Sequence, residues 1–512
     1  MGLPRILAVR FSKFLNRYIT KPFKNPVKTQ EDFFHQLLSR NQNTVFGRQH
    51  NFSQIQSIRQ FQKNCPISIY EDYKPYVKLI LEGKRHILTM AKQIYWGQTS
   101  GTSGTPKLIP IVNQTFNSTN LSMLCSLVSY IAEDPRNNSR FLDGMSCFLA
   151  AYPLLRYEGN LPVGYGTGIF SYYRGGTQFW KQFISSRLYI PIHLYRIKDI
   201  ERRNLQLAKE IIGKDFRQFS GVPSIVTNTL EKLLENCSKL GVQAHAIEDI
   251  FPEYHFSYFG GLSPKFYEKK LETLIGHKID YREQLSATEG ILGIQLQEGP
   301  GFTPMVNANF FEFLPVKNPG DRCIINEIKK HEEYQICISS YNGLYAYNMG
   351  DIIKFISEDP PLFIFSSREG VVNLVDEKIS QQDILYAIDH TNQEFETVLT
   401  DFSVVALRSP AFHYLFILEF AANYEPTSYA EYLKRLDSFL QEANEVYRYF
   451  RQEIGVLKAP KLWILQRGSF ARILNERARQ GLPREQTKIP HLTDNPSLKK
   501  EFEDAVESEV EI

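Results

Sequence analysis

A segment rich in hydroxyl groups, residues 99–107, has the residue types that bind an anion. It reads TSGTSGTPK, and its glycines Gly101 and Gly104 can adopt positive φ and bring backbone N–H groups close to a ligand. We therefore predict a phosphate-binding loop, although surface loops that bind nothing share this composition. It is not a Walker loop, because two residues separate the second glycine from Lys107.

Two further segments place polar groups or glycines where strand-like runs end. Residues 256–261 read FSYFGG, in which Gly260 and Gly261 would let a flat nucleobase lie against the backbone. Residues 284–290 read QLSATEG, which places the hydroxyl of Thr288 beside a carboxylate. Because ligands of α/β sheets lie beyond the carboxyl ends of the strands, both loops are candidate site segments. Each could also be an ordinary turn.

A carboxylate at Asp351 is the candidate partner of a ribose. Residues 348–351 read NMGD, which predicts a tight turn between strands that ends on this carboxylate. A fixed carboxylate can accept both hydroxyls of a ribose diol, and each charge-assisted bond contributes about 1.5–3 kcal/mol. The alternative is an aspartate in a plain hairpin turn. Residues 164–168, GYGTG, lack the spacing of a dinucleotide fingerprint and predict a turn, which could border a substrate pocket.

The composition is that of a globular protein with more than one domain. The chain has 512 residues, which exceeds the usual size of a single core. Its 59 Lys and Arg against 56 Asp and Glu leave a net charge of +3, too small for a nucleic-acid-binding surface. The six cysteines are scattered without C-x-x-C pairs, which predicts core thiols in a reducing compartment and argues against disulfides and a zinc site.

The N-terminal segment, residues 1–23, is basic and partly apolar. It lacks the long apolar run and the small-residue cleavage site of a signal peptide. Its apolar positions recur near helical spacing, which predicts a helix docked on the protein body; contact with a membrane surface is the alternative. No stretch approaches the roughly 20 apolar residues that cross a bilayer. We expect a soluble, cytoplasmic protein.

The patterning predicts an α/β fold with two domains. Strand, loop, strand and helix succeed one another around the candidate phosphate loop, and helix and strand patterns alternate over residues 200–276, which favours a parallel or mixed sheet. Strand patterns dominate residues 302–367 and predict a β-subdomain. Residues 371–466 follow the order β-α-β-β-α-β, with a long helix over residues 428–450. They predict a smaller α+β domain that swings about a hinge near residues 366–370.

Several motifs in this order resemble one family over essentially the whole chain. They are PFKNPVKTQ, NTVFG, PISIYEDY, FFEFLPV, YNGLYAYNMGDIIKF and the tail GSF followed by QTKIP. With the loop at residues 99–107, they resemble the auxin-responsive Gretchen Hagen family of acyl acid amido synthetases, in the adenylate-forming superfamily. The resemblance implies a large adenylate-forming domain, residues 1–367, that holds the nucleotide and acyl acid, and a small mobile domain, residues 368–512.

The resemblance also implies roles for single residues. Ser100, Thr102 and Ser103 would contact phosphate, Thr288 the α-phosphate, and Glu289 a Mg²⁺ ion; Lys488 would be the catalytic lysine of the mobile domain. The candidate catalytic residues are thus Lys488, Glu289 and Thr288. With the two glycines proposed above, the candidate nucleotide-binding residues are Thr99, Ser100, Gly101, Thr102, Ser103, Gly104, Lys107, Gly260, Gly261, Thr288, Asp351 and Arg368.

The implied activity is ATP-dependent activation of a carboxylic acid to an acyl-adenylate, followed by transfer to an amine, with an amino acid expected. The chain departs from the family at Ala346 and Asn348, where arginine is common, and at Ala287, where serine is usual. Two alternatives stay open: transfer to a thiol such as coenzyme A, and a nucleotide-binding protein without catalysis. The acid is expected between the helix after the phosphate loop and residues 220–228. A monomer is expected.

Overall fold

The computed structural model describes residues 2–99, 107–149, 154–166, 168–169, 187–197, 199–261, 264–318, 320–368, 371–479 and 489–512. The described residues divide into two compact units, the first within residues 2–368 and the second within residues 371–512. Each unit is described by itself.

The first unit contains helices in its N-terminal part and between its strands. They are α1 (Leu3–Ile19), α2 (Lys21–Lys24), α3 (Pro26–Asn41), α4 (Val45–Gln49), α5 (Ile58–Asn64), α6 (Tyr70–Leu81), α7 (Asn113–Glu133), α8 (Ile200–Ile211), α9 (Pro223–Cys237) and α10 (Glu268–Ile275). Helix α1 packs against α7, which confirms the predicted docked helix. Among the residues that the structure describes, no helix combines the length and apolar character of a membrane-spanning segment.

The strands of the first unit form three sheets. They are β1 (Gln93–Thr99), β2 (Lys107–Val112), β3 (Met145–Leu149), β4 (Arg156–Glu158), β5 (Leu161–Tyr165), β6 (Leu188–Tyr189), β7 (Phe216–Gly221), β8 (Phe256–Gly260), β9 (Asp280–Ala287), β10 (Gly290–Ile294), β11 (Thr303–Pro304), β12 (Asn309–Pro315), β13 (Glu333–Ser340), β14 (Tyr347–Glu358) and β15 (Pro361–Arg368). The sheet orders are β2-β1-β5-β4, β11-β10-β9-β8-β7-β3-β6 and β12-β13-β14-β15.

The seven-stranded sheet confirms the predicted mixed α/β architecture. Strands β6, β3, β7, β8 and β9 run parallel, β10 pairs antiparallel with β9, and β11 pairs antiparallel with β10. The carboxyl ends of the parallel strands therefore lie along one edge, where ligands of such sheets bind. Gly221, Gly260 and Ala287 end β7, β8 and β9 at this edge.

The four strands β12 to β15 are antiparallel and confirm the β-subdomain. The predicted tight turn at residues 348–351 is wrong, because these residues lie inside the continuous strand β14. The ladder with β13 passes from Cys337 opposite Asn348 to Gln335 opposite Ile352, so β14 contains extra residues that bulge from the ladder. Gly350 adopts a φ of +71° there, a conformation that favours glycine. A bulge thus presents Asp351.

The second unit is a smaller α+β structure. It contains β16 (Val371–Val372), β17 (Ile379–Ser380), α11 (Gln381–Phe395), β18 (Leu399–Leu407), β19 (His413–Phe420), α12 (Tyr429–Ala443), α13 (Glu445–Arg448), β20 (Lys461–Leu465), α14 (Ser469–Arg479), β21 (Leu492–Thr493), α15 (Ser497–Phe502) and β22 (Val506–Val510). Its main sheet has the order β21-β18-β19-β20-β22.

Two details of the predicted β-α-β-β-α-β order are wrong. The first predicted strand does not join the main sheet, since β16 pairs only with β17 and the N–H groups of Leu374 and Val375 donate to the Glu377 carboxylate. The predicted long helix is broken at Asn444, whose backbone is extended. The Asn444 side chain accepts a hydrogen bond from the N–H of Tyr447 and donates to the carbonyl of Glu377, so it begins a new helix.

The six cysteines are free thiols, and all are buried except the half-buried Cys323. Burial raises the pKa of the Cys65 thiol to about 12, and it does the same at Cys125. Such thiols stay protonated and unreactive near neutral pH. The prediction of core thiols is therefore confirmed.

Candidate active site

Strands β1 and β2 pair on both sides of the hydroxyl-rich segment. They are antiparallel, with Thr99 opposite Lys107 at the end of the ladder. Paired residues in such ladders have Cα atoms about 4.5–5.5 Å apart, so the segment begins and ends at nearly one place. Lys107 places its Nζ 5.7 Å from the ring centroid of Tyr70. The candidates Ser100, Gly101, Thr102, Ser103 and Gly104 lie outside the described residues.

Thr288 packs against the strand that leads into this segment. A Cβ atom at Gly97, in β1, would lie 2.3 Å from Cγ2 of Thr288, and a Cβ atom at Gly166 would lie 2.8 Å from its Oγ1. The absence of side chains at Gly97 and Gly166 is what lets Thr288 sit there. The predicted turn at residues 164–168 is wrong in its first part, because Gly164 lies in β5 and pairs in parallel with Gly97.

Replacing Gly97 by alanine should therefore displace Thr288 and lower both the stability of the protein and the rate of ATP/pyrophosphate exchange. The added methyl group overlaps Thr288, so the hairpin or the threonine must shift, which should cost about 1–3 kcal/mol of the free energy of unfolding. Denaturant titration and the ATP/pyrophosphate exchange rate would measure the two effects. Gly320→Ala is the matched control, since no atom lies within 4 Å of its added Cβ. Equal values for the two variants would contradict the packing role of Gly97.

Glu289 follows Thr288 in the two-residue turn between β9 and β10, and it is 4% exposed. The loop predicted over residues 284–290 is therefore shorter in the structure. Residues 284–287 belong to β9, and only residues 288 and 289 form the turn. The Tyr347 hydroxyl lies 3.4 Å from Oε1 of Glu289 and donates to it. A buried carboxylate with a weak neutral donor is suited to bind a cation or a cationic complex.

Asn342 is a positioning residue that sequence reasoning missed. Its Nδ2 donates to the carbonyl of Glu289 at 3.0 Å, while its Oδ1 accepts from the N–H of Val112 at 3.2 Å and the hydroxyl of Thr115 at 2.7 Å. One buried amide thus joins the Glu289 turn, the end of β2 and the start of α7. The available signal was the Asn-Gly pair, since Gly343 has a φ of +87°, but this pair indicates only a turn.

The glycines at the end of β8 lie beside β9. Gly260 is paired with Gln284, and Gly261, with a φ of +95°, has a backbone conformation that favours glycine. The Gln284 amide oxygen accepts hydrogen bonds from the hydroxyls of Tyr258 and Ser122, which joins β8 to α7. Gly260 and Gly261 therefore end a strand at the edge where Thr288 and Glu289 also lie.

Asp351 is buried. In the backbone ladder between β14 and β15 it lies opposite Arg368. The bulge that presents it is braced by Asn348, whose Oδ1 accepts from the N–H of Gly350 and whose Nδ2 donates to Oε1 of Gln335. The departure at Asn348 thus has a local role in the bulge. Ala346, another position where the chain departs from the family, is fully buried, and its backbone is left-handed with a φ of +48°.

The structure brings several candidates into one region. Tyr347 contacts Glu289 and begins the strand that carries Asp351, while Thr288 contacts β1, which ends at Thr99. Lys488 lies outside the described residues. Within the described part of the chain, no three His, Cys, Asp or Glu side chains are grouped to hold a metal ion.

Comparison with family models gives three matches along the chain. The GH3 family N-terminal domain matches residues 16–205, the GH3 family central domain residues 302–368, and the GH3 family C-terminal domain residues 382–497.

Two relatives and one solved structure match nearly the full length of the chain. The jasmonoyl-L-amino acid synthetase JAR4 of Nicotiana attenuata is 24% identical, over 91% of each chain. The indole-3-acetic acid-amido synthetase GH3.4 of Arabidopsis thaliana is 22% identical, over 93% of this chain and 90% of that one. The structure of the AtGH3.15 acyl acid amido synthetase in complex with 2,4-DB is similar with a TM-score of 0.56 and 18% identity, over 98% and 97% of the two chains. These comparisons agree with the α/β fold described above.

Proposed function

The chain belongs to the GH3 family, and from this premise we propose that it is an ATP-dependent acyl acid amido synthetase. It would activate a carboxylic acid to an acyl-adenylate and transfer the acyl group to the amine of an amino acid. Of the relatives named above, JAR4 is a jasmonoyl-L-amino acid synthetase, and GH3.4 is an indole-3-acetic acid-amido synthetase. The observation that carries the proposal is the packing of Thr288 against β1, beside the buried Glu289.

The two steps balance without a further reactant. A carboxylate oxygen of the acid attacks the α-phosphorus of ATP, the bond to the bridging oxygen breaks, and pyrophosphate leaves. The amine nitrogen then attacks the acyl carbon, AMP leaves, and the amine loses one proton. The first step brings two anions together, so positive charge and hydrogen-bond donors must face the phosphates.

We assign the donors to the segment 99–107 and to the turn after β9. Ser100 to Gly104 and Lys107 would bind the β- and γ-phosphates, and Thr288 would donate its hydroxyl to the α-phosphate. Gly260 and Gly261 would let the base lie against backbone. Asp351 would accept the ribose hydroxyls, with Arg368 beside it on the neighbouring strand.

Glu289 would hold Mg²⁺ together with the nucleotide. Mg²⁺ is usually bound by one or two carboxylates, waters and substrate phosphates, so a single buried carboxylate fits it. When bound, the ion supplies charge neutralisation at the phosphates. The chain's own contribution is to fix the carboxylate, through the bonds of Asn342 to the Glu289 backbone and of Tyr347 to its Oε1.

We also propose a domain organisation and a region that binds the acid. We propose that residues 1–367 hold the nucleotide and the acyl acid, and that residues 368–512 move as a small domain about a hinge near residues 366–370. The acid would lie between α7 and residues 220–228, where Gly221 and Ser220 end β7. We propose a monomer in the cytoplasm; the free cysteines support a reducing compartment.

A screen of carboxylic acids for ATP/pyrophosphate exchange tests the first step. The purified chain should show exchange that depends on one class of acid, and mass analysis with amino acids should then show an amide. A thioester formed with coenzyme A, and no amide, would replace amide transfer by thiol transfer. ATP binding without exchange for any acid would favour a protein without catalysis.

Asp351→Asn should weaken ATP binding more than it slows chemistry. Asparagine keeps one acceptor oxygen, so the loss of one charge-assisted bond to the ribose should raise the KM for ATP by about 10–150-fold, since such a bond contributes about 1.5–3 kcal/mol. Initial rates at varied ATP would measure KM and kcat separately. Asp359→Asn, an exposed aspartate at the turn between β14 and β15, is the control. A fall in kcat at unchanged KM would contradict the ribose assignment.

A further inference from the structure

Helix α1 turns its large apolar side chains to solvent. The largest exposed fractions are 74% at Phe14, 72% at Tyr18 and 67% at Leu3, and Leu7 and Phe11 are also exposed. Each residue of a helix advances about 100°, so these five positions, three and four residues apart, fall within one narrow stripe. We call Leu3, Leu7, Phe11, Phe14 and Tyr18 the apolar stripe. Isolated exposed apolar residues are common, but a continuous stripe marks an interaction surface.

The opposite face of α1 lies on the protein body, where Ala8 and Ile19 pack on buried apolar clusters and polar side chains make hydrogen bonds. Arg5 pairs with Asp143 at 2.7 Å, and the N–H of Gly2 donates to the same carboxylate at 2.7 Å. Asn16 accepts a hydrogen bond from the hydroxyl of Ser129 in α7 at 2.8 Å. These contacts hold one face of α1 against the protein and leave the apolar stripe in solvent, whereas an ordinary surface helix exposes a polar face.

Positive charge borders the apolar stripe. Arg10, Lys13 and Arg17 are exposed and lie along one side of the stripe, at the spacing of successive helical turns. The chain contains no Asp or Glu before Glu31. An apolar stripe bordered by cations is the pattern of a helix that lies in the interface of an anionic membrane.

We propose that α1 binds the surface of an anionic phospholipid bilayer, with its axis parallel to the membrane plane. The apolar stripe enters the boundary between headgroups and acyl chains, and Arg10, Lys13 and Arg17 contact lipid phosphates. A second copy of the chain fits this face less well, since antiparallel pairing of two stripes brings their cationic borders together. The attachment is independent of the catalytic proposal, because the stripe shares no residue with the site.

Vesicle co-sedimentation of the full chain tests this assignment. The protein should bind vesicles of mixed phosphatidylglycerol and phosphatidylcholine, bind pure phosphatidylcholine vesicles weakly, and lose affinity as salt rises. Phe11→Ser with Phe14→Ser should reduce binding at least about tenfold. Arg10→Gln, Lys13→Gln and Arg17→Gln together should reduce it by about 10²-fold, since each charge contributes about fivefold.

The matched control is the double variant Leu81→Ser with Tyr424→Ser, which removes exposed apolar side chains elsewhere and should bind as the unaltered chain does. The glutamine variants keep the apolar stripe, so they test the assignment even if the serine variant does not fold. No binding to anionic vesicles, equal binding by all variants, or a dimer that Phe14→Ser dissociates would each overturn it.

Discussion

Replacing Glu289 by glutamine is expected to lower acid-dependent ATP/pyrophosphate exchange by about 10²–10³-fold, because removing one preorganised electrostatic contact in an active site costs about 2.7–4 kcal/mol. Glutamine keeps the size of the side chain and an acceptor oxygen for Tyr347, whose hydroxyl lies 3.4 Å from Oε1. The hydrogen bond from Asn342 goes to the backbone carbonyl of Glu289 and is also kept. The substitution therefore removes the negative charge and little else.

The control for this variant is Glu283→Gln. Glu283 is another buried glutamate of the same hairpin, 6% exposed, on β9, and it has no role in the proposed site. Both variants should unfold at nearly the temperature of the unaltered chain, and only Glu289→Gln should lose exchange. Raising the Mg²⁺ concentration should restore part of the rate in that variant. Full exchange in Glu289→Gln would remove Glu289 from the metal assignment.

The elements of the fold could be predicted where local pattern decides. Strands β12, β13 and β19 show runs of aromatic and β-branched residues that favour extended backbone, and the structure has strands there. The alternation of helix and strand over residues 200–276 correctly indicated the parallel sheet. The residues at the carboxyl ends of its strands could then be named as site candidates from the order of elements alone.

The contacts that build the site could not be predicted, because they join distant parts of the chain. Asn342 bonds to Glu289 and to Val112, each far away in sequence, and Thr288 fits against Gly97 and Gly166. No periodicity encodes such pairs. The bulge before Asp351 was mistaken for a turn, since a glycine with positive φ serves both structures.

The break at Asn444 was missed for a different reason. The apolar positions of residues 428–450 continue at helical spacing through it, so periodicity predicts one helix. The Asn444 side chain instead bonds to the N–H of Tyr447 and the carbonyl of Glu377. A tertiary hydrogen bond to a buried segment thus overrides a local pattern.

Lys488→Ala is expected to nearly abolish adenylation, by at least about 10²–10³-fold, while ATP still binds. The lysine lies outside the described residues, but the chain after it is anchored to the second unit. Ile489 packs on that unit's core, the carbonyl of Pro490 accepts from the hydroxyl of Ser403 at 2.6 Å, and β21 pairs with β18. These contacts hold residues 489–493 on the second unit's sheet.

This arrangement makes the two half-reactions separable by experiment. If the lysine serves only the step at the α-phosphorus, Lys488→Ala should fail in pyrophosphate exchange yet form amide from acyl-adenylate supplied to it at a nearly normal rate. Lys500→Ala, an exposed lysine of α15 in the same unit, should be normal in both assays. Unchanged exchange in Lys488→Ala would remove the assignment. Loss of both steps would instead make the lysine part of a surface that both reactions need, because a charge used only in adenylation has no effect once the acyl-adenylate is present.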